Sequence, residues 1–209
     1  MEAYQRSLKF FALISFPIAA FFTTWSEPIL RLALGAKYLP AIPAMQLLGI
    51  GMVPFFLSTL FQYLFAALDQ QSRFLWATCA ASALRIILLV ILIPKYGFIG
   101  PSIAFVCAET LIVGIWIFQL TRLGFPANLG HVIWRPLVAG SAMALVLFAS
   151  AEAPLLWQIG AAALSVILYG VVLFALKTFS TEEIYHAREG IAFVSPFIEA
   201  WSKKLKRGA

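Results

Sequence analysis

The chain has 209 residues, 62% of them hydrophobic and 11% charged, with a mean hydropathy of +0.93. A water-soluble domain of this length is nearer half apolar and a quarter charged, so lipid must meet the excess apolar surface and a soluble globular fold is excluded. The formal charge of +6 does not point to nucleic acid, because no basic cluster is interleaved with exposed aromatics in a soluble segment.

A membrane span needs about 20 mainly apolar residues. Six segments qualify: 8–25, 41–67, 74–93, 98–120, 132–150 and 154–176. The first starts behind MEAYQRSLKF, which lacks the pattern of a cleaved signal peptide, and it carries Pro17. The connector SEPILRLALGA predicts a short helix capped by Ser26, with Glu27 and Pro28 in its first turn and Gly35 near its end. Ile29, Leu32 and Ala33 share one face, so the helix lies in an interface, and Arg31, Gly35 and Tyr38 form an outer interfacial turn. The second span holds Gly49 and Gly51 just ahead of Pro54, a pattern compatible with a static kink or a hinge. Small residues Ala77, Cys79, Ala80, Ala81, Ser82 and Ala83 crowd one half of the third span and suit close helix packing. Pro94, Tyr96, Gly97 and Gly100 form a hairpin turn into the fourth span.

The fifth span carries Pro136, and the tail beyond the sixth opens with a capping box, Ser180 with Glu183. Apolar residues at helical spacing and the closing KKLKR make that tail an amphipathic helix on an anionic leaflet, kinked at Pro196. Near the spans, Lys and Arg number seven on the side of both termini and three on the other, which places both termini in the cytoplasm. Trp25 and Trp157 then mark one interface, and Trp76 and Trp134 the other. The fold expected is all-α and integral to the membrane: a six-span bundle, a short outer interfacial helix and a cytoplasmic amphipathic tail.

Signals for chemistry are sparse. No GxSxG, HExxH, P-loop or paired-aspartate motif occurs, so an enzyme is not expected, and no cofactor or metal site is. Cys79 and Cys107 have no metal-binding spacing and lie within apolar runs. His131 and His186 fall near the cytoplasmic interface without a plausible partner. Arg85 and Glu109, by contrast, stand mid-way through the third and fourth spans. At 1.5 Å per residue they lie about 14 and 17 Å from the hairpin between them, at similar depth on antiparallel helices. Charges there are costly unless paired or facing water. Either the two pair and hold the hairpin, or they line a polar cavity in which Arg85 meets a phosphate and Glu109 takes a proton or cation.

Three features in order resemble the C-terminal lobe of polysaccharide flippases of the multidrug/oligosaccharidyl-lipid/polysaccharide exporter superfamily. They are the Pro17 span with ILRLALGAKYLPA, the long span AIPAMQLLGIG…LFAALDQQSRF, and the turn IPKYGFIGPSIAFVCAET. The resemblance covers residues 1–120. It implies a four-span part of the second lobe, followed by two additional spans over 121–179 and the tail over 180–209. It further implies a multi-pass inner-membrane protein that moves polyprenyl-pyrophosphate-linked oligosaccharide between leaflets. The implied partners are membrane lipid, the lipid-linked glycan, and a missing N-terminal lobe or split partner chain. The sequence departs from the family pattern at Arg85, where many members have an uncharged polar residue, and at Pro101, in place of a small one. A cation-coupled drug exporter of the same superfamily and a non-transporting scaffold of a glycan-assembly complex are the alternative functions.

Overall fold

The computed structural model describes residues 2–125, 129–151, 153–176 and 178. Among them the chain is all-α. In order come α1 (Glu2–Thr24), α2 (Ser26–Ala33), a 3-10 turn (Ala36–Ala41), α3 (Ile42–Ala67), α4 (Gln71–Tyr96), a second 3-10 turn (Gly97–Ile99), α5 (Gly100–Arg122), α6 (Leu129–Ala149) and α7 (Leu155–Ala175). The tail, with Ser180, Glu183, His186 and Pro196, lies outside the described residues.

Five continuous helical segments are long and apolar enough to cross a membrane, one of them the 52 residues Gln71–Arg122. That segment is two helices. A straight helix would hold Arg85 and Glu109 about 36 Å apart, yet their side chains meet at 2.6 Å, so the chain reverses between them. The reversal is built from glycine. Gly97 adopts φ 56°, ψ −130°, a conformation open to glycine and closed to side chains with a Cβ. At Gly100 a Cβ would stand 2.8 Å from the Leu92 carbonyl carbon, so only a bare backbone lets the two helices close there. Pro101 sits in the first turn of α5, where its missing N–H has no intrahelical partner to lose. With the hairpin resolved, the described residues hold six long apolar helices of 21 to 26 residues, about 32–39 Å each. The protein is thus a multi-pass helical membrane protein.

Several boundaries differ from the sequence expectation. The first helix begins at Glu2 rather than residue 8, and α4 runs through Pro94 to Tyr96. Pro94 occupies the last turn of α4, where it forfeits a single helical bond. Ser26 is not a cap. Because α2 starts one residue after α1 ends, its hydroxyl meets a carbonyl behind it and donates to Thr23 O at 3.3 Å. Trp25 is buried, with its ring 4.9 Å from that of Phe21, and so does not belong to a lipid-facing belt; Trp76, Trp134 and Trp157 are exposed. Of the small residues on α4, Ala77 and Ala81 are buried one turn apart, whereas Cys79, Ala80, Ser82 and Ala83 face outward.

The chain divides into two compact units, Met1–Gly170 and Val171–Ala209. In the second, the described residues finish α7, with Leu176 N–H bonded to Val172 O and Thr178 N–H to Leu173 O. In the first, α3 lies against α1 and α5, while α4 packs on α5 and α6 on α1. Tyr4, Leu8, Ala12 and Phe16 present a one-sided stripe of α1 at four-residue spacing, and Ala104, Ala108, Ile112, Trp116 and Leu120 do the same for α5. Gly49 and Gly51 explain how α3 fits between its neighbours. A Cβ on Gly49 would lie 2.7 Å from Thr23 Oγ1 of α1, and one on Gly51 would lie 2.6 Å from the Phe105 ring of α5. The pair is a double packing notch in a helix that continues unbroken through Pro54.

A second constraint is the carbonyl that Pro17 frees. Lacking an N–H, Pro17 leaves Leu13 O without its helical partner. The buried Tyr169 of α7 donates its hydroxyl to that oxygen at 2.8 Å. Tyr169→Phe therefore leaves a buried carbonyl unpaired and lowers stability by about 1–3 kcal/mol. Thermal unfolding of the purified protein in detergent measures the loss, with Tyr63→Phe, an exposed tyrosine, as the neutral control.

Candidate functional site

The site begins with a glycine. Since Gly51 has no side chain, the Phe105 ring settles against α3. The Arg85 guanidinium lies over that ring, with Cζ 5.3 Å from its centroid, a separation at which the ring face attracts a cation. From there Arg85 NH2 donates to Glu109 Oε1 at 2.6 Å. The other carboxylate oxygen, Oε2, stands 3.1 Å from Ser58 Oγ on α3. Three helices are thus tied together at one level, about 18 Å along each arm from the Gly97 turn.

Burial is unequal within the pair. The Glu109 side chain is 13% exposed and that of Arg85 is 39%. The carboxylate is the enclosed member, and the longer arginine carries its head toward the edge of the bundle, as such side chains do at apolar surfaces. Ser58 has one hydroxyl proton and two acceptors within reach, Phe55 O at 2.8 Å and Glu109 Oε2 at 3.1 Å. When Glu109 is ionised, the hydroxyl can donate to it. When Glu109 is protonated, the hydroxyl can donate to Phe55 O and accept from the acid, so both states of the carboxyl group have a partner at Ser58. Protonation would, however, strip Arg85 of its counter-charge.

Beside the pair is a small cavity of about 110 Å³, lined by Thr78, Ala81, Ser82, Arg85, Ala108, Glu109 and Ile112. It has room for water or a small ion, and it is well below the volume of pockets that hold organic ligands. The two charges pair, and a small cavity adjoins them.

The remaining residues singled out from the sequence fall elsewhere. Tyr96 is exposed at the end of α4, and with Pro94, Gly97 and Gly100 it belongs to the hairpin rather than to the charge site. Arg31 pairs with Glu27 at 2.6 Å one helical turn away. Gly35, at φ 89°, ends α2, and its carbonyl accepts from the N–H of the exposed Tyr38. Cys79 and Cys107 are free and exposed, and no cluster of three or more His, Cys, Asp or Glu forms among the described residues. Ser58 was not anticipated. In sequence it is one of two hydroxyls in LSTLF, and nothing in that pattern says which one faces a carboxylate 51 residues away.

Residues 1–43 match the model of a family described as polysaccharide biosynthesis protein. The match spans α1, α2, the first 3-10 turn and the start of α3, and so includes the run ILRLALGAKYLPA but stops short of the hairpin. No curated protein and no solved structure matches the chain. With the long apolar helices, the family match points to a multi-pass membrane protein involved in polysaccharide synthesis or export.

Because removing Arg85 leaves the enclosed Glu109 carboxylate uncompensated, Arg85→Met should cost more than the Arg85→Met, Glu109→Gln double variant does. A double-mutant cycle on thermal or denaturant unfolding should give a coupling of about 0.5–3 kcal/mol.

Proposed function

We propose that the chain is the C-terminal part of a transporter that flips polyprenyl-pyrophosphate-linked oligosaccharide across the cell membrane for polysaccharide biosynthesis. The observation that carries the reading is the family match over residues 1–43, which lies on one of the stretches that resemble such flippases. Six long apolar helices among the described residues fit a membrane transporter. In this reading both termini are cytoplasmic, the Gly97 hairpin and the Arg31 turn face outward, and the six helices work with a further helical lobe. The cavity beside Arg85 and Glu109 is too small for a glycan, so the pair acts as a neutral tie between α3, α4 and α5. Its place at mid-helix makes it an element that helix movement must carry as a unit or break.

The test is complementation of a strain lacking its polysaccharide flippase with the full gene. Surface polysaccharide should return. At equal membrane abundance, Arg85→Ala and Glu109→Gln should each lower that rescue by about tenfold. Full rescue by both variants would reduce the pair to a packing device. Protection against cationic compounds without any glycan effect would instead favour a drug exporter, and an unaltered lipid translocation rate in vesicles would favour a scaffold.

A further inference from the structure

A second, larger cavity lies at the end of the bundle where α1 stops, α3 starts and α6 gives way to α7. Its volume is about 670 Å³, within the range of small-molecule sites. Its polar lining comes from Thr23, Thr24, Ser26, Gln46 and Gln158, with the Glu27–Arg31 pair beside them; Phe148 and Trp25 are among the walls, and the Trp25 Nε1–H is a buried donor without a partner among the described residues. The hydrogen-bonding state of each group is readable. Thr23 and Thr24 donate their hydroxyls to Ala19 O and Ala20 O at 2.6 and 2.7 Å, which leaves their oxygens as acceptors. The Gln158 amide donates to Ala151 O and Ala153 O, which leaves its carbonyl oxygen as an acceptor and fixes the α6–α7 turn. Gln46 has no hydrogen-bond partner among the described residues and offers both a donor and an acceptor.

We infer that this cavity binds a neutral, hydroxyl-rich ligand, a sugar unit rather than a phosphate. The reason is the balance of groups. A phosphate only accepts and needs donors and net positive charge, yet the free polar valences here are mixed: acceptors at Thr23, Thr24 and Gln158, both kinds at Gln46, and donors at Trp25 Nε1 and at the Arg31 N–H groups that Glu27 does not take. The cation in the lining, Arg31, already has Glu27 Oε1 at 2.6 Å. Sugar hydroxyls donate as well as accept, so they can satisfy Thr23, Thr24, Gln46 and Gln158 together. The aromatic and aliphatic walls cover the apolar faces of a pyranose. The binding chemistry is argued from the lining alone, and only its place in glycan transport rests on the proposed function.

The test uses the full chain in lipid nanodiscs, with maltotetraose as the neutral probe and inorganic pyrophosphate as the charged one, read by isothermal titration calorimetry. Maltotetraose should give a saturable signal and pyrophosphate none. Gln46→Ala should weaken maltotetraose binding about two- to tenfold, the worth of one hydrogen bond. Gln46→Phe, which fills the cavity, should abolish it, and melting curves serve to show that both variants remain folded. Saturable pyrophosphate binding without maltotetraose binding would overturn the inference, as would maltotetraose binding that Gln46→Phe leaves intact. Gln46-dependent sugar binding in a chain that fails to restore surface polysaccharide upholds the cavity and overturns the transport reading. Restoration without any sugar binding overturns the cavity alone.

Discussion

In hydrocarbon a polar group has no water to turn to, so each one inside the bundle needs a partner within the protein. The arrangement of helices around α1 and α3 follows from this constraint. Pro17 opens the ladder of α1 at Leu13 O, and Tyr169 closes it from α7. Serines and threonines within the helices mostly return their hydroxyls to carbonyls three or four residues back, as Ser15, Thr78, Thr110 and Ser165 do. Glu109 cannot solve its problem locally. It takes one partner from each of two other helices, Arg85 from α4 and Ser58 from α3.

Glycine supplies the geometry that makes those partnerships reachable. Gly49 lets α1 approach α3, Gly51 seats the ring of Phe105, and Gly100 lets the α4–α5 hairpin close. Without a hydrophobic force between helices in lipid, close backbone approach and its van der Waals contacts become a main source of cohesion. At the opposite end from the hairpin, the same three helices are joined by aromatic packing. Phe74 stacks on Trp116 at 5.1 Å, with Phe61 and Phe65 against the other sides of the indole. The charge site thus lies between a glycine-tight end and an aromatic end, which hold the carboxylate and its partners in one place.

Two of the cavities in the bundle differ in character. The small one beside Glu109 belongs to a charge-neutral tie and admits nothing larger than water or an ion. The larger one offers both donors and acceptors and lies where α2, the start of α3 and the α6–α7 turn meet. The family match covers the α1 and α2 portions of that larger cavity, including Thr23, Thr24, Glu27 and Arg31.

By itself the sequence determined the class of protein, the position of the Gly97 hairpin and the similar distance of Arg85 and Glu109 from it. Hydropathy, glycine and rise per residue are local quantities that survive without coordinates. It also singled out Arg85 and Glu109, with pairing and a polar cavity as alternative readings; the structure places their side chains 2.6 Å apart. Tertiary structure alone decided that Ser58 is the second partner of Glu109, that Gly49 and Gly51 give room to Thr23 and Phe105, that Ser26 turns back to α1, and that Trp25 is enclosed. Each of those depends on which face of one helix meets which face of another. A periodicity of 3.6 residues tells where a face is; in segments apolar all round, it does not tell what lies against it.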